Sequence, residues 1–183
     1  MNDAASPRPP VIVRPCFQQD LEAVTLIYAQ HVLTGAGSFE LEPPSQEEME
    51  RRWSEIAQRQ WPFLVACPAS DLTRVLGFAY ARQFRDRAAY EGVFEDSVYV
   101  APGSQRQGVG ESLLADLLIT LKQDGAREVI AMIGDSQNTG SIALHTKAGF
   151  TKLGVMKELG CKFGRLYDVV MMQRNLSRMR LRD

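Results

Sequence analysis

The hexapeptide at residues 105–110, with the sequence QRQGVG, constrains this chain more than any other stretch. An apolar strand is predicted at residues 97–100, directly before it, and an amphipathic helix is predicted to begin at about Glu111. A strand that runs into a glycine loop and then a helix brings free backbone N–H groups and the positive end of the helix dipole to one point. Because glycine has no Cβ, the backbone can approach a ligand closely there. The stretch therefore predicts an anion-binding site.

The spacing of this loop excludes two common phosphate sites. It lacks the lysine and hydroxyl residue of a P-loop, and its glycines do not have the GxGxxG spacing of a dinucleotide fingerprint. The alternative is that the glycines serve only a tight strand-to-helix turn. Arg106 favours a phosphate ligand, because a guanidinium pairs well with a phosphate that backbone amides already hold.

The composition is that of one globular domain. The chain has 183 residues, 45% hydrophobic and 23% charged, which is long enough to bury a core without disulfides or metals. A net charge of -1 argues against a nucleic-acid partner. The two histidines and three cysteines form no metal-binding cluster, so no metal site is predicted. Cys16, Cys67 and Cys161 are interpreted as buried thiols of a reducing compartment.

Three segments are expected along the chain. Residues 1–10, MNDAASPRPP, lack the apolar segment of a signal peptide and are interpreted as a disordered leader. Residues 11–176 form the predicted domain, and residues 177–183 are a polar tail. No apolar run approaches the length of a membrane span, so we expect a cytoplasmic protein without a membrane partner.

Hydrophobic periodicity predicts an α/β fold. The order is strand, two helices, three strands, helix, strand, helix and two strands, which predicts one mixed sheet with helices on both faces. Ser45 and Glu48 have capping-box spacing at the start of the second helix. The glycine-bearing loop at residues 34–40 either borders a ligand or is a plain connector.

A second polar pattern follows the next strand. Asn138, Ser141 and His145 are spaced to lie along one face of a short helix. An amide, a hydroxyl and an imidazole on one stripe are typical of a functional helix. Taken singly, Asn138 would be a helix N-cap and His145 a buried structural histidine.

Taken together, these motifs resemble the GNAT family of acetyl-CoA-dependent N-acetyltransferases, and more narrowly its phosphinothricin acetyltransferase group. The resemblance extends from Val13 to about Leu176. The stretches that carry it are the strand with QRQGVG, the Asn-x-x-Ser-x-x-Leu-His stripe with Gly149-Phe150, Arg85-x-Arg87-x-x-Tyr90, Glu95-Asp96-Ser97-Val98-Tyr99-Val100, Ala131-Met132-Ile133-Gly134, and Lys162-x-Gly164-Arg165-x-x-Asp168-Val169.

The resemblance implies the GNAT acyl-CoA N-acyltransferase fold, with a mostly antiparallel sheet that splays at the cofactor strand. It also implies acetyl-CoA as the cofactor. The strand would pair with the pantetheine arm, and the loop amides would hold the pyrophosphate. The implied cofactor-binding residues are Val98, Tyr99, Val100, Gln105, Arg106, Gln107, Gly108, Val109, Gly110, Glu111, Asn138 and Ser141.

Two catalytic roles follow from the same resemblance. Glu95 stands where this group keeps its carboxylate and is assigned as general base, and His145 is assigned as the acid that protonates the departing thiolate. Strand alternation puts Asp96 on the opposite face, so it is the second choice for the base unless a bulge exchanges the two faces. Tyr90 and Tyr99 are alternative acids. A covalent route through Cys161 has nothing nearby in sequence to activate the thiol.

The implied acceptor is the amine of a small amino acid or analogue, such as phosphinothricin or methionine sulfoximine. The chain departs from the group at Gly92 and Val93, where Trp-Thr is usual, and at Leu166, where a tryptophan is usual. Two other functions stay open, namely acetylation of a protein or peptide amine and a non-catalytic acyl-CoA sensor. A homodimer is expected from the resemblance alone. The implied acceptor contacts are Phe39, Arg85, Arg87, Tyr90 and Lys162.

Overall fold

A computed structural model describes residues 10–176. The predicted leader, apart from its last residue, and the predicted tail lie outside the described residues. The predicted element order is confirmed, and the bounds are: β1 Val11–Pro15, α1 Leu21–Thr34, α2 Gln46–Gln58, β2 Phe63–Pro68, β3 Gly77–Gln83, β4 Val93–Val100, α3 Val109–Gln123, β5 Glu128–Gly134, α4 Thr139–Lys147, β6 Thr151–Lys162 and β7 Arg165–Asn175.

The strands form one seven-stranded sheet in the order β1-β2-β3-β4-β5-β7-β6. All neighbours are antiparallel except β4 and β5, which run parallel. Their pairing covers only residues 93–96 and 128–131, although β4 continues to Val100 and β5 to Gly134. The sheet therefore splays into a fork beyond Asp96, as predicted.

Helices cover both faces of the sheet, and each face has its own core. The apolar stripe of α3 is buried as its 3.6-residue period predicts, against β1, β2, β3 and β4. On the other face, α1 and α2 bury their apolar sides against Phe78 and Tyr99. The predicted mixed α/β fold is thereby confirmed.

Local signals explain most helix ends. The Ser45 side chain accepts a hydrogen bond from the Glu48 N–H at 3.1 Å, and Asn138 caps α4 by accepting from the Ser141 N–H at 3.1 Å. Gly125, with φ of +84°, and Gly149, with φ of +85°, stop α3 and α4 where glycine was predicted to do so.

One expectation needs correction. Cys16 and Cys67 are buried as expected, whereas Cys161 is exposed near the tip of the β6–β7 hairpin. Strand alternation puts Cys161 on the face opposite to buried Lys162, and that face is exposed at this position.

Candidate active site

A cavity of about 890 Å³ occupies the fork between β4 and β5. That volume suits a small-molecule or cofactor site. Residues 97–100 of β4 form one wall, and residues 131–135 form the opposite one. The loop at residues 35–37 and the helix α4 close the remaining sides, so the loop borders the cavity instead of only connecting two elements.

The glycine loop forms one end of the cavity. Gly108 is the N-cap of α3 and has φ of +89°, a left-handed conformation that favours glycine. The first turn of α3 therefore leaves its N–H groups without helical partners at this end of the cavity. The loop residues that line it are Gln105, Arg106, Gly108, Gly110 and Glu111.

Two predicted loop contacts have other neighbours. The Val109 side chain is buried in the core below α3, and Gln107 donates from Nε2 to the Gly103 carbonyl at 2.7 Å. Neither lines the cavity. Their backbone amides still belong to the loop, so their predicted role in holding a pyrophosphate stays a prediction.

The free edge of β4 forms the second part of the site. Val98, Tyr99 and Val100 line the cavity beyond the point where β5 stops pairing. The Val98 and Val100 side chains pack towards the α3 face and Tyr99 towards the α1 face, as strand alternation predicts. His31 of α1 also lines the cavity, and its Nε2 lies 2.9 Å from the Val100 carbonyl oxygen.

The polar stripe of α4 faces the same cavity. Asn138, Ser141 and His145 all line it, so the structure brings the predicted stripe together with the glycine loop. His145 is buried, and its Nδ1 lies 2.8 Å from the Ser141 carbonyl oxygen of the preceding turn. Its ring packs edge-on against Phe150 at a centroid distance of 5.0 Å.

The other nitrogen of His145 contacts a carboxylate that sequence reasoning ranked second. Nε2 lies 2.9 Å from Oδ2 of Asp96, and both side chains are nearly inaccessible to solvent. Burial alone would lower the pKa of His145, but the hydrogen bond and negative charge of Asp96 outweigh it and raise that pKa above its usual value of 6.5. Asp96 therefore favours the protonated imidazole.

Glu95 lies on the opposite face of β4 from Asp96, as predicted. It is half-buried and is not among the residues that line the fork cavity. Burial raises the pKa of Glu95, and the charge of Asp96 adds to the effect, whereas Arg85 and Arg82 oppose it. A raised pKa brings a carboxylate closer to the range that a general base needs at neutral pH.

The predicted acceptor contacts are dispersed. Arg85, Arg87 and Tyr90 are exposed on the loop between β3 and β4, where Tyr90 packs against Phe84. Lys162 is buried, and its Nζ donates to the carbonyl oxygens of Gly35 and Ser38 at 2.9 and 2.7 Å. None of the three exposed residues lines the fork cavity, and neither does Lys162.

Phe39 also holds the loop that borders the cavity. Its ring lies against Tyr167 and so close to Gly160 that a Cβ there would overlap it. A Cβ at Gly134 would likewise overlap the Ala36 carbonyl oxygen. The loop at residues 34–40 is therefore fixed on β5 and the β6–β7 hairpin by close contacts that require glycine.

Several lining residues were not predicted. Besides His31 and Asp96, they include Met132, Asp135 and Lys147. The signal available in the sequence was the strand–helix–strand order of β4, α3 and β5, which favours parallel pairing of the two strands. In such a pair the carboxyl end of β5 lies beside that of β4 and can form the second wall of a fork. Among the described residues there is no group of histidine, cysteine and carboxylate side chains that could hold a metal ion. No helix within residues 10–176 is long and apolar enough to cross a membrane.

A forked sheet with an unpaired strand edge that leads to a glycine-capped helix defines a class of acyltransferase fold. The comparison with known families agrees: residues 13–171 match the acetyltransferase (GNAT) domain, and the chain belongs to that family. The predicted family, fold and enzyme class are thereby confirmed.

Individual relatives show which members of the family the chain is similar to. The chain is 46% identical to a phosphinothricin N-acetyltransferase of Alcaligenes faecalis, over 90% of this chain and 82% of that protein. It is 33% identical to an L-methionine sulfoximine/L-methionine sulfone acetyltransferase of Pseudomonas aeruginosa, over 90% of this chain and 94% of that protein. A solved phosphinothricin acetyltransferase from Sinorhizobium meliloti, in complex with acetyl-CoA, superposes with a TM-score of 0.86 at 39% identity, over 90% of this chain and 88% of that one.

Proposed function

We propose that this enzyme transfers the acetyl group of acetyl-CoA directly to the amine of a small amino acid or amino-acid analogue of the phosphinothricin or methionine sulfoximine type. The observation that carries the proposal is a single cavity that joins the glycine loop, the free edge of β4 and the α4 stripe with Asp96 and His145. The names of the relatives support the acceptor class.

The residues fit the proposed cofactor. The first turn of α3 offers N–H groups and Arg106 a guanidinium for a pyrophosphate, and Gly108 keeps that approach free of a side chain. The β5-facing edge of residues 97–100 has no strand neighbour and can pair with an amide-bearing arm. When bound, acetyl-CoA supplies an activated acyl group. Asn138 and Ser141 line the same cavity and would border this arm.

Glu95 is proposed as the general base that takes a proton from the acceptor amine. One support is its raised pKa. Another is the positive charge of two nearby arginines: Arg82, which pairs with Glu95 on the neighbouring strand β3, and Arg85 in the adjoining loop. An amino acid carries an ammonium group beside an anion, so a carboxylate flanked by arginines complements it in charge. His145 is proposed as the acid for the departing thiolate. Phe39 and Lys162 would then act on the acceptor through the loop that they hold.

Gly92 and Leu166 are two of the positions at which the chain departs from the phosphinothricin acetyltransferase group. Gly92 has φ of +75°, so the tryptophan that is usual there would be strained in this backbone. Leu166 is exposed on β7. The homodimer and the cytoplasmic location expected from the sequence stay predictions.

Acetyl-CoA should stabilise the protein by mass action. At about 100 times its Kd it should add about 2.7 kcal/mol, which for a chain of this size raises Tm by about 5–10 °C. Gly108→Val should remove most of the shift, because its side chain fills the approach to the α3 N-terminus and cannot adopt the required φ. The measurement is thermal unfolding with and without ligand. Gly154→Ala is the matched control, since a Cβ there meets open space away from the cavity. A wild-type protein with no shift would refute the cofactor assignment.

An acceptor panel distinguishes the three candidate functions. Release of free thiol from acetyl-CoA should be fast with methionine sulfoximine, methionine sulfone and phosphinothricin. It should be slow with polyamines and with peptides. Preference for a peptide amine would favour the protein acetyltransferase. Binding of acetyl-CoA without thiol release from any acceptor would favour the sensor.

A further inference from the structure

Asp96 occupies a special position in the sheet. It forms the last residue pair of β4 with β5, opposite Ala131, so the fork opens directly beyond it. A ligand that begins at the glycine loop and follows the free edge of β4 therefore reaches Asp96 at its far end. In the proposed function this far end is where the thioester lies.

The contacts of the His145 ring fix the positions of its protons. A carbonyl oxygen only accepts hydrogen bonds, so Nδ1, 2.8 Å from Ser141 O, carries a hydrogen. Nε2 faces Oδ2 of Asp96 at 2.9 Å, and a proton lies between these two atoms. Since Nδ1 is turned into its own helix, Nε2 is the nitrogen whose proton can be given to a ligand. Asp96 on β4 is the titratable group that faces the ring, and Phe150 covers it from another side without a charge.

The second carboxylate oxygen of Asp96 has no partner. Oδ1 is buried and forms no hydrogen bond with any described residue, although Asp96 lines the cavity. A carboxylate that served only to fix a helix to a strand would be expected to have both oxygens satisfied, because an unpaired buried oxygen costs stability. The unpaired oxygen therefore favours a functional role for Asp96 over a purely structural one.

We propose that Asp96 is a positioning residue for the acetyl transfer: its Oδ2 holds the His145 ring and keeps it protonated at the closed end of the fork, until the departing thiolate sulfur replaces Oδ2 as the acceptor of the Nε2–H and takes its proton. The inference rests on the proposed function. As the carbon–sulfur bond breaks, the N–H bond of His145 breaks and an S–H bond forms. The acceptor ammonium loses one proton to solvent before the attack and a second to Glu95 as the new carbon–nitrogen bond forms. Glu95 then releases its proton to solvent, and His145 regains a proton from solvent.

The test is Asp96→Asn, which keeps the size of the side chain and removes its charge. An acid must be protonated to act, so kcat should be high below the His145 pKa and fall as the pH rises through it. Loss of a neighbouring negative charge should move this basic limb down by about one to three pH units. At neutral pH, kcat should fall at least about tenfold, whereas KM for acetyl-CoA should change little.

A second readout is independent of turnover. The chain has two histidines, His31 and His145, so NMR can follow both rings during a pH titration, with a His145→Gln sample for assignment. In Asp96→Asn the midpoint of the His145 titration should move to lower pH, and the basic limb of the kcat profile should move with it. Asp116→Asn, an equal charge change on the exposed side of α3, should move neither. An unchanged His145 midpoint in Asp96→Asn, or a basic limb that stays in place while the midpoint moves, would overturn the proposal.

These outcomes separate the inference from the proposed function. A wild-type protein that binds acetyl-CoA but acetylates no acceptor refutes the function, while the titration still tests the Asp96–His145 pair. If Asp96→Asn does not fold, the proposal is tested on the wild-type protein alone, by comparing its pH–rate profile with the titration of its His145 ring. The basic limb of its kcat/KM and the titration of its free His145 ring must then share one midpoint, and a gap of more than about one pH unit contradicts the role of the pair.

Discussion

Replacing Glu95 by glutamine should lower kcat by about 10²–10⁴-fold, the usual contribution of a general base. The amide keeps the size of the side chain but cannot take the proton that the acceptor amine must lose. Because Glu95 does not line the fork cavity, Kd for acetyl-CoA should stay within about twofold. Steady-state kinetics against the best acceptor and a binding titration with acetyl-CoA measure the two effects.

The stability of Glu95→Gln provides an internal check. The folded-state pKa of Glu95 is raised, so its ionised form costs stability, and this cost is present at any pH above that pKa. Glutamine removes the cost, so the variant should be at least as stable as the wild type at neutral pH. A loss of activity then cannot be ascribed to unfolding. The same raised pKa predicts that wild-type kcat rises with pH on its acidic limb and that this dependence disappears in the variant.

Glu91→Gln is the matched control, since Glu91 is exposed just before β4 and should tolerate the change. Unchanged turnover in Glu95→Gln would remove Glu95 from the mechanism. Asp96 would then be the remaining carboxylate at this end of the fork, and the comparison with Asp96→Asn would show whether it takes the proton. The two variants thus distinguish adjacent carboxylates on opposite faces of one strand.

The elements of the fold were predictable because their signals are local. The α3 stripe repeats with a period close to 3.6, and its leucines are buried, namely Leu113, Leu114, Leu117, Leu118 and Leu121. The caps at Ser45 and Asn138 depend on residues three positions away. The glycine loop was recognisable for the same reason, since a strand, two glycines and a helix follow each other directly. Local chemistry was sufficient to predict the glycine loop that forms one end of the cavity.

The remainder of the site depends on contacts between distant segments. Asp96 and His145 are 49 residues apart, and no spacing in the sequence indicates that one would hold the other. Alternation placed Asp96 on the correct face of β4 but could not show that α4 covers that face. Lys162 is a similar case, because a lysine near a hairpin tip is usually exposed. Its burial follows from the loop at residues 34–40, which packs across the hairpin.

Lys162→Met should therefore act mainly on stability. The change leaves the Gly35 and Ser38 carbonyl oxygens without their donor, and each unsatisfied buried group costs about 1–3 kcal/mol. We expect the free energy of unfolding to fall by about 2–4 kcal/mol, an effect in the range of broken buried networks. Urea unfolding without ligands measures it. Lys157→Met is the matched control on the same hairpin, because Lys157 is 75% exposed and its ion pair with Asp168 should contribute no more than about 1 kcal/mol.

The kinetics of Lys162→Met distinguish a loop clamp from a direct acceptor contact. Gly35 and Ala36 line the cavity, so a loosened loop should weaken every ligand of the cavity, acetyl-CoA included. If Lys162 bound the acceptor directly, its replacement by methionine would raise KM for the acceptor alone. The free energy of unfolding and Kd for acetyl-CoA would then stay unchanged. That second pattern would return Lys162 to the acceptor contacts that the sequence predicted. The first would assign acceptor selection to the arginines beside Glu95.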